Sequence, residues 1–119
     1  MTPASLAAAL RACAAGLHPL EAGTGLLIAH GTFLQRDDFT SRFILHGTAG
    51  MAAVDWDAVI TTLDSGRLTA SGGEQRIIRI AASLAAGHPV SLRDAVPGLD
   101  QHSLQLAVTA IRRAAGQHP

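Results

Sequence analysis

The 119-residue sequence contains no lysine and no tyrosine, one cysteine, one tryptophan and three phenylalanines. The single cysteine, Cys13, excludes an internal disulfide, so we expect a reducing compartment, the cytoplasm. With so few aromatic side chains, the core must consist of leucine, isoleucine, valine and alanine, which favours close packing of helices. No apolar run approaches the roughly 18 to 20 residues that cross a bilayer, so the sequence predicts a soluble protein without a membrane partner.

Sequence signatures of catalysis and of cofactor binding are also missing. No Gly-x-x-x-x-Gly-Lys-Ser/Thr motif is present, since the chain has no lysine with which to grip a nucleotide. No serine occupies a Gly-x-Ser-x-Gly turn, and the one thiol falls on a helix face that we predict to be buried. The six histidines include no pair at the i, i+4 spacing of a helical zinc site. We therefore expect no enzyme, no cofactor and no metal ion.

The nine arginines balance the nine acidic residues, but the charges are unevenly divided along the chain. Residues 1–66 have a net charge of −3 and residues 67–119 a net charge of +3. Such a division is typical of a half that binds nucleic acid or another protein. It is equally typical of two halves that pack against each other or against a second copy, and the sequence leaves these alternatives open.

Start and stop signals divide the chain into helices, and no alternation of apolar and polar residues predicts a strand. Proline and glycine end most segments, and aspartate or serine precedes several of them. The predicted helices span approximately residues 3–17, 19–30, 37–46, 55–65, 72–86, 91–96 and 100–115. The sequence therefore predicts a single all-α domain over residues 1–119, a compact bundle of six or seven helices.

Helical periodicity also predicts which side chains face the core. These are Leu6, Leu10, Cys13 and Leu17 in the first helix, and Leu104, Val108 and Ile111 in the last. Gly23 and Gly25 weaken the second helix, and we expect them to allow close backbone contact with another helix.

The turn at residues 71–75 has two interpretations. In the first, Ser71 and Glu74 form a capping box, in which each side chain accepts the backbone N–H of the other residue. That motif leaves Gly72 and Gly73 unexplained, because glycine in a helix costs up to about 1 kcal/mol relative to alanine. In the second interpretation, Ser71, Gly72 and Gly73 bind a phosphate with the free N–H groups at the helix start.

The run SGGEQ at residues 71–75 resembles the signature motif of ATP-binding cassettes, and PGLD at residues 97–100 resembles their D-loop. This resemblance implies a nucleotide phosphate at Ser71, Gly72 and Gly73. It covers two short patches and lacks both the lysine-containing phosphate loop and the paired acidic residues that hold magnesium and activate water. We therefore expect no ATP hydrolysis by this chain alone.

Residues 76–116 resemble the helix-turn-helix of winged-helix regulators, since a long helix, a short helix, a Gly-Leu turn and a polar-fronted helix follow one another. This resemblance places Gln101, His102, Ser103 and Gln105 in the major groove, and Arg76, Arg79, Arg112 and Arg113 at phosphates. The short helix is below the usual length, Asp100 faces the DNA, and no wing hairpin follows. The chain is also neutral overall, whereas duplex binders depend on many cationic contacts.

The run from residue 71 to residue 116 resembles the C-terminal part of uncharacterised small helical proteins from high-GC bacteria. The resemblance implies a helical fold and a bacterial cytoplasm, and no activity. We expect a non-catalytic interaction or regulatory module that self-associates as a homodimer or binds another protein. A DNA-binding regulator built on residues 76–116 and a phosphate contact at residues 71–75 are the alternatives.

Overall fold

The computed structural model describes residues 1–117, which form seven α-helices, two 3-10 segments and one two-stranded hairpin. The helices are α1 (Pro3–Ala14), α2 (His18–His30), α3 (Asp37–Phe43), α4 (Trp56–Asp64), α5 (Gly72–Ala86), α6 (Leu92–Ala95) and α7 (Gln101–Ala114). The 3-10 segments are Phe33–Gln35 and Val96–Gly98, and the strands are β1 (Ile44–His46) and β2 (Ala52–Val54). The predicted all-α bundle of six or seven helices is confirmed. Within residues 1–117, none of the helices combines the length and apolar character needed to cross a membrane.

Side chains at the helix starts satisfy backbone N–H groups that have no partner inside the helix. The Asp55 carboxylate accepts a backbone N–H at the start of α4 at 3.1 Å, and the Asp100 carboxylate accepts one at the start of α7 at 2.7 Å. α2 and α5 end at Gly31 and Gly87, whose φ angles of 82° and 76° lie in the region that favours glycine. These predicted caps and stops are confirmed.

The predicted third helix begins at residue 37 as expected, but its end and its N-cap, which we expected to be Asp37 or Asp38, were wrong. Asp37 and Asp38 lie in the first turn of α3, and neither is its N-cap. The helix ends at Phe43, and the chain continues into β1, which pairs antiparallel with β2 so that Ile44 faces Val54. Both residues of this pair are buried, so the pairing adds them to the core. Strands of three residues are too short to produce a readable alternation, which is why the sequence did not predict them.

An aromatic cluster anchors the first half of the core. Phe33, Phe39 and Phe43 have side chains that are fully buried, and successive ring centroids lie 5.0 Å apart. Tilted rings at this separation interact favourably beyond the area that they bury. Trp56 and Val59 of α4 belong to the same buried cluster, so α3 and α4 share one core with the rest of the bundle.

α2 is the central helix, because it packs most extensively against α5 and α7 and also contacts α1. α2 lies closest to α5 at Gly23. A Cβ atom there would overlap the Ala81 carbonyl oxygen and would lie 2.5 Å from the Cβ of Ala85. The predicted close helix contact at Gly23 is therefore confirmed. Gly25 instead lies beside a side chain of α7, since a Cβ there would be 3.2 Å from Nη1 of Arg113.

The predicted core face of the last helix was wrong. Small residues of α7 turn toward the core and allow α7 to lie close to α2, with Leu106 partly buried at the edge of this contact. The buried residues of α7 are Ser103, Ala107 and Ala110, whereas Leu104, Val108 and Ile111 are 40%, 39% and 49% exposed.

The predicted core face of the first helix is confirmed at its N-terminal part and wrong at its C-terminal part. Leu6 and Leu10 are buried. α1 ends at Ala14, so Leu17 lies beyond the helix and is 59% exposed. The free thiol of Cys13 is half-buried, not enclosed in the core as we expected.

Candidate functional site

The start of α5 contains the predicted capping box. The Ser71 hydroxyl accepts the Glu74 N–H at 3.2 Å, and the Glu74 carboxylate accepts the Ser71 N–H at 2.7 Å. The capping interpretation of residues 71–75 is therefore confirmed. Space beside Gly73 is open, since a Cβ there would meet no atom of the described residues within 4 Å. No packing contact inside the described chain requires a glycine at this position.

Gly72, the other glycine of this turn, is explained by the side chain of Arg76 one turn further along α5. A Cβ on Gly72 would lie 3.1 Å from Nη1 of Arg76, and a Cβ on Gly98 would overlap the guanidinium itself. Neither glycine has a positive φ, so backbone conformation does not require glycine at either position. Together they leave the space in which the Arg76 guanidinium lies, between the start of α5 and the segment Val96–Gly98.

Arg76 lines a cavity of about 360 Å³ between α5 and α6, which we call the Arg76 cavity. Its other polar lining includes Arg79, Ser91 and Asp94, while a proline, a valine and an alanine form an apolar wall. The cavity also reaches Gly72. The cavity therefore brings together Gly72 of the predicted phosphate turn and two arginines of the predicted DNA surface. From the sequence, these residues had been assigned to two separate sites.

Arg76 and Arg79 differ in what they bind. Nη2 of Arg79 forms an ion pair with Asp64 at 2.8 Å. The half-buried side chain of Arg76 makes no hydrogen bond or ion pair with any residue of 1–117. A guanidinium carries five N–H donors and no acceptor, so those of Arg76 are available to a ligand.

The predicted DNA-reading residues of α7 do not share one surface. Gln101, His102 and Gln105 are exposed, but Ser103 is buried on the core side of the helix. The Ser103 N–H donates to the Asp100 carboxylate, and this hydrogen bond lowers the pKa of Asp100 below its usual value. The start of α7 therefore carries a persistent negative charge beside the residues proposed to contact DNA.

The four arginines predicted to contact DNA phosphates also lie on different faces. Arg112 is exposed, whereas Arg113 turns toward α2 beside Gly25 and lines small cavities against α1 and α2. The Nε of Arg113 is buried and has no hydrogen-bond partner among the described residues. Arg76 and Arg79 face α6 instead. The structure brings two of the four arginines together and separates the others.

The exposed face of α7 carries an apolar stripe made of Leu104, Val108 and Ile111, which we call the α7 stripe. At about 100° per residue, these three side chains fall within roughly 60° of one another around the helix. By the same geometry, Gln105 and Arg112 flank the stripe on its solvent side, and both are exposed. The alternative stripe of small residues, which the helix buries, was the sequence signal that could have identified this surface.

Within residues 1–117, no three side chains of histidine, cysteine, aspartate or glutamate are grouped so as to hold a metal ion. Nε2 of His88 lies 2.7 Å from Oδ1 of Asp57, which ties the end of α5 to α4. His118, the last of the six histidines, lies outside the described residues.

The Arg76 cavity was not predictable from the sequence, because it depends on where Gly98 and α6 fold back onto α5. Gly72, Arg76 and Arg79 were predicted as functional residues, but no motif or spacing indicated that they line the same cavity. Comparison of the chain with protein-family models, with curated proteins and with solved structures gives no match. Function is therefore inferred from the α7 stripe and the Arg76 cavity.

Proposed function

We propose that the protein is a non-catalytic interaction module that self-associates through the α7 stripe. The observation that carries this proposal is the exposure of Leu104, Val108 and Ile111 on a helix whose small residues already fill the core side. Scattered apolar side chains are ordinary on a protein surface. A continuous stripe along one face of a helix is instead typical of an interface with another helix.

The α7 stripe has the spacing that fits a second copy of itself. Leu104, Val108 and Ile111 are separated by four and then by three residues, the alternation with which paired helices interdigitate. In an antiparallel pair with a two-fold axis near Val108, Leu104 of one copy lies opposite Ile111 of the other. Arg112 then approaches the negatively charged N-terminal end of the other α7, so the charges of the two helices are complementary.

The partial burial of the α7 stripe limits how tightly two copies bind. Full burial of a leucine, isoleucine or valine contributes about 1.5–3 kcal/mol. Since each of the three side chains is 39–49% exposed, six of them across the pair contribute about 4–8 kcal/mol. Association itself costs about 4–15 kcal/mol in lost freedom. Set against the smallest of these costs, the largest gain leaves about 4 kcal/mol, so we expect a weak dimer with a dissociation constant of about 1 mM.

The DNA-binding alternative has less support from the arrangement of charges. Asp64 pairs with Arg79, and Arg113 lies against α2. Of the four arginines, Arg112 is the exposed one. A helix-turn-helix unit gains most of its affinity from several cations that meet phosphates on one face. The α7 stripe beside Arg112 favours a protein surface over a nucleic-acid backbone.

Sedimentation of the full chain from about 50 µM to about 2 mM tests the proposal, because this range brackets the expected dissociation constant. We expect the wild type to dimerise with rising concentration and Ile111→Glu to stay monomeric, because the glutamate buries a charge in the interface. Leu45→Glu is the matched control, since Leu45 is 56% exposed on β1, and it should dimerise like the wild type. Circular dichroism verifies that both variants fold. A wild type that is monomeric throughout, or an Ile111→Glu variant that still dimerises, would contradict the proposal.

A DNA-binding measurement on the wild type and an Arg112 variant distinguishes the DNA alternative from self-association. Fluorescence anisotropy with duplex DNA at low salt should give no saturable binding at micromolar protein. Saturable binding that is lost in Arg112→Gln, with dimerisation unaffected, would support the alternative and count against an interaction module.

A further inference from the structure

Arg76 differs from Arg36 and Arg79, two half-buried arginines that form ion pairs. Arg36 donates to the Asp38 carboxylate through Nε and Nη2, at 3.0 and 2.6 Å, and Arg79 pairs with Asp64 at 2.8 Å. Arg76 is half-buried like them, but no carboxylate of the described residues lies within 4 Å of its guanidinium. Two glycines leave room for this side chain, since a Cβ on Gly98 would occupy the place of the guanidinium and a Cβ on Gly72 would lie 3.1 Å from Nη1. The fold thus positions a cation without supplying its counter-charge.

The surroundings of Arg76 form a site of suitable size for a small molecule. The Arg76 cavity has a volume of about 360 Å³, within the range of small-ligand pockets, which begins at roughly 300 Å³. Pro89 and Val90 give it an apolar wall, and Ser91 adds a hydroxyl. The capping box already uses the Ser71 hydroxyl, so the anion-binding group of this site is the Arg76 side chain, one turn inside α5.

We infer that the Arg76 cavity binds a small molecule that carries one oxyanion group, a phosphate or a carboxylate, attached to an apolar body. The planar guanidinium of Arg76 donates two parallel N–H bonds to the oxyanion, and Val90 and Pro89 contact the apolar body. Arg79 adds positive charge at the cavity wall while Asp64 holds it in place.

The charges around the cavity indicate why a single anionic group is preferred. Asp94 lines the same cavity, at more than 4 Å from either guanidinium, and its carboxylate repels a second negative group. Asp64 offsets part of the charge of Arg79. The site therefore favours a monoester or a monocarboxylate over a polyphosphate such as ATP, in keeping with the missing phosphate loop.

Titration of the ¹⁵N-labelled full chain with phenyl phosphate, benzoate and benzyl alcohol tests this inference. The three probes share an apolar ring and differ in the head group. We expect saturable shifts of the Arg76 Nε–H resonance with phenyl phosphate, benzoate or both, and none with benzyl alcohol. The stronger of the two anions identifies the head group. No saturable shift with either anion up to about 20 mM, or equal shifts with benzyl alcohol, would overturn the inference.

Two variants distinguish specific anion binding by Arg76 from non-specific attraction of the anion to any positive charge on the surface. Arg76→Gln should weaken anion binding by about tenfold or more, because it removes the charge and the paired donors. Arg93→Gln, which removes an exposed arginine of α6 outside the cavity lining, should bind like the wild type. Equal binding by Arg76→Gln and the wild type would overturn the inference.

Gly98→Ala tests the positioning of Arg76 without changing any charge. A methyl group at residue 98 occupies the place of the guanidinium, so binding should weaken several-fold while circular dichroism stays that of the wild type. A shifted Arg76 Nε–H resonance in the free variant would show the displacement directly. A free-state resonance and an affinity both identical to those of the wild type would contradict the assigned place of the side chain. The anion titration is repeated with the Ile111→Glu variant, which is expected to be monomeric. Binding that is the same in this variant does not depend on the proposed dimer.

Discussion

Substitution of Gly23 by alanine should destabilise the protein, although alanine is the better helix former. In an exposed helix the change would stabilise by about 1 kcal/mol. Here the added methyl group would overlap the Ala81 carbonyl oxygen and lie 2.5 Å from the Cβ of Ala85. Neither atom can rotate away, since one belongs to the backbone and the other is attached directly to it. α2 and α5 must therefore separate along the most extensive helix contact of the bundle.

Overpacking of a core costs about 1–3 kcal/mol, and more when the backbone must move. Because the backbone must move here, we take the upper end of this cost, about 3 kcal/mol, and subtract about 1 kcal/mol for the gain in helix propensity, so Gly23→Ala should lower the free energy of unfolding by about 2 kcal/mol. For a domain of this size, that change lowers the melting temperature by roughly 6–12 °C. Urea unfolding, followed by circular dichroism, measures the free energy, and a thermal scan of the same samples measures the melting temperature.

Gly73→Ala is the matched control, because it makes the same chemical change in a helix where a Cβ meets no described atom within 4 Å. We expect it to leave stability unchanged or to raise it by up to about 1 kcal/mol. If Gly23→Ala were as stable as Gly73→Ala, the close approach of α2 to α5 would be refuted.

Two further predictions concern the helix caps. Ser71→Ala should lower the free energy of unfolding by about 1 kcal/mol in urea, because the Glu74 N–H loses its acceptor, and Ser71→Thr should restore most of it. In the folded protein the pKa of Asp100 lies below its usual value of 3.8. The Asp100 cap therefore contributes its full stabilisation at a pH above the pKa of the unfolded chain, and this contribution is lost as the pH falls through the lower pKa of the folded protein. Asp100→Asn keeps an acceptor without titrating, so its stability should vary less than that of the wild type below about pH 4, and equal acid sensitivity would argue against the cap.

Local signals allowed most of the helix boundaries to be predicted. Asp55, Ser71 and Asp100 cap the helices that follow them, and the glycines at residues 31 and 87 adopt the left-handed conformation that ends a helix. These features depend on a few neighbouring residues, so the sequence contains them in full. The hairpin of β1 and β2 was missed because its three-residue strands show no readable alternation and their pairing joins two segments across a loop.

The orientation of α7 was mispredicted because size and hydrophobicity favoured the wrong face. Large apolar residues such as Leu104 and Ile111 are usually buried, so they were assigned to the core from their periodicity, and no weight was given to Ala107 and Ala110. The burial is reversed because α7 lies close to α2, where only small side chains fit. A helix contact of this kind is decided by both surfaces at once, and the stripe of small residues is the part of the signal that the sequence of α7 contains.

The candidate site was predictable in its parts and not in its assembly. Gly72, Arg76 and Arg79 were singled out for two unrelated reasons, and Gly98 was noted within a different motif. These residues come together only because the segment after α5 folds back onto that helix, and hydrophobic periodicity does not predict the path of this segment.

The position of α2 has a consequence for how the chain can be divided. Residues 71–116 look like a unit when they are read alone, yet Ile77, Ile80 and Ala81 of α5 belong to the one cluster that α2 completes. Without the first half of the chain, those side chains would face water and α7 would lose the surface on which its alanines rest. A fragment cut between α4 and α5 should therefore be unable to hold its native tertiary structure, and the two halves should reassemble when they are mixed.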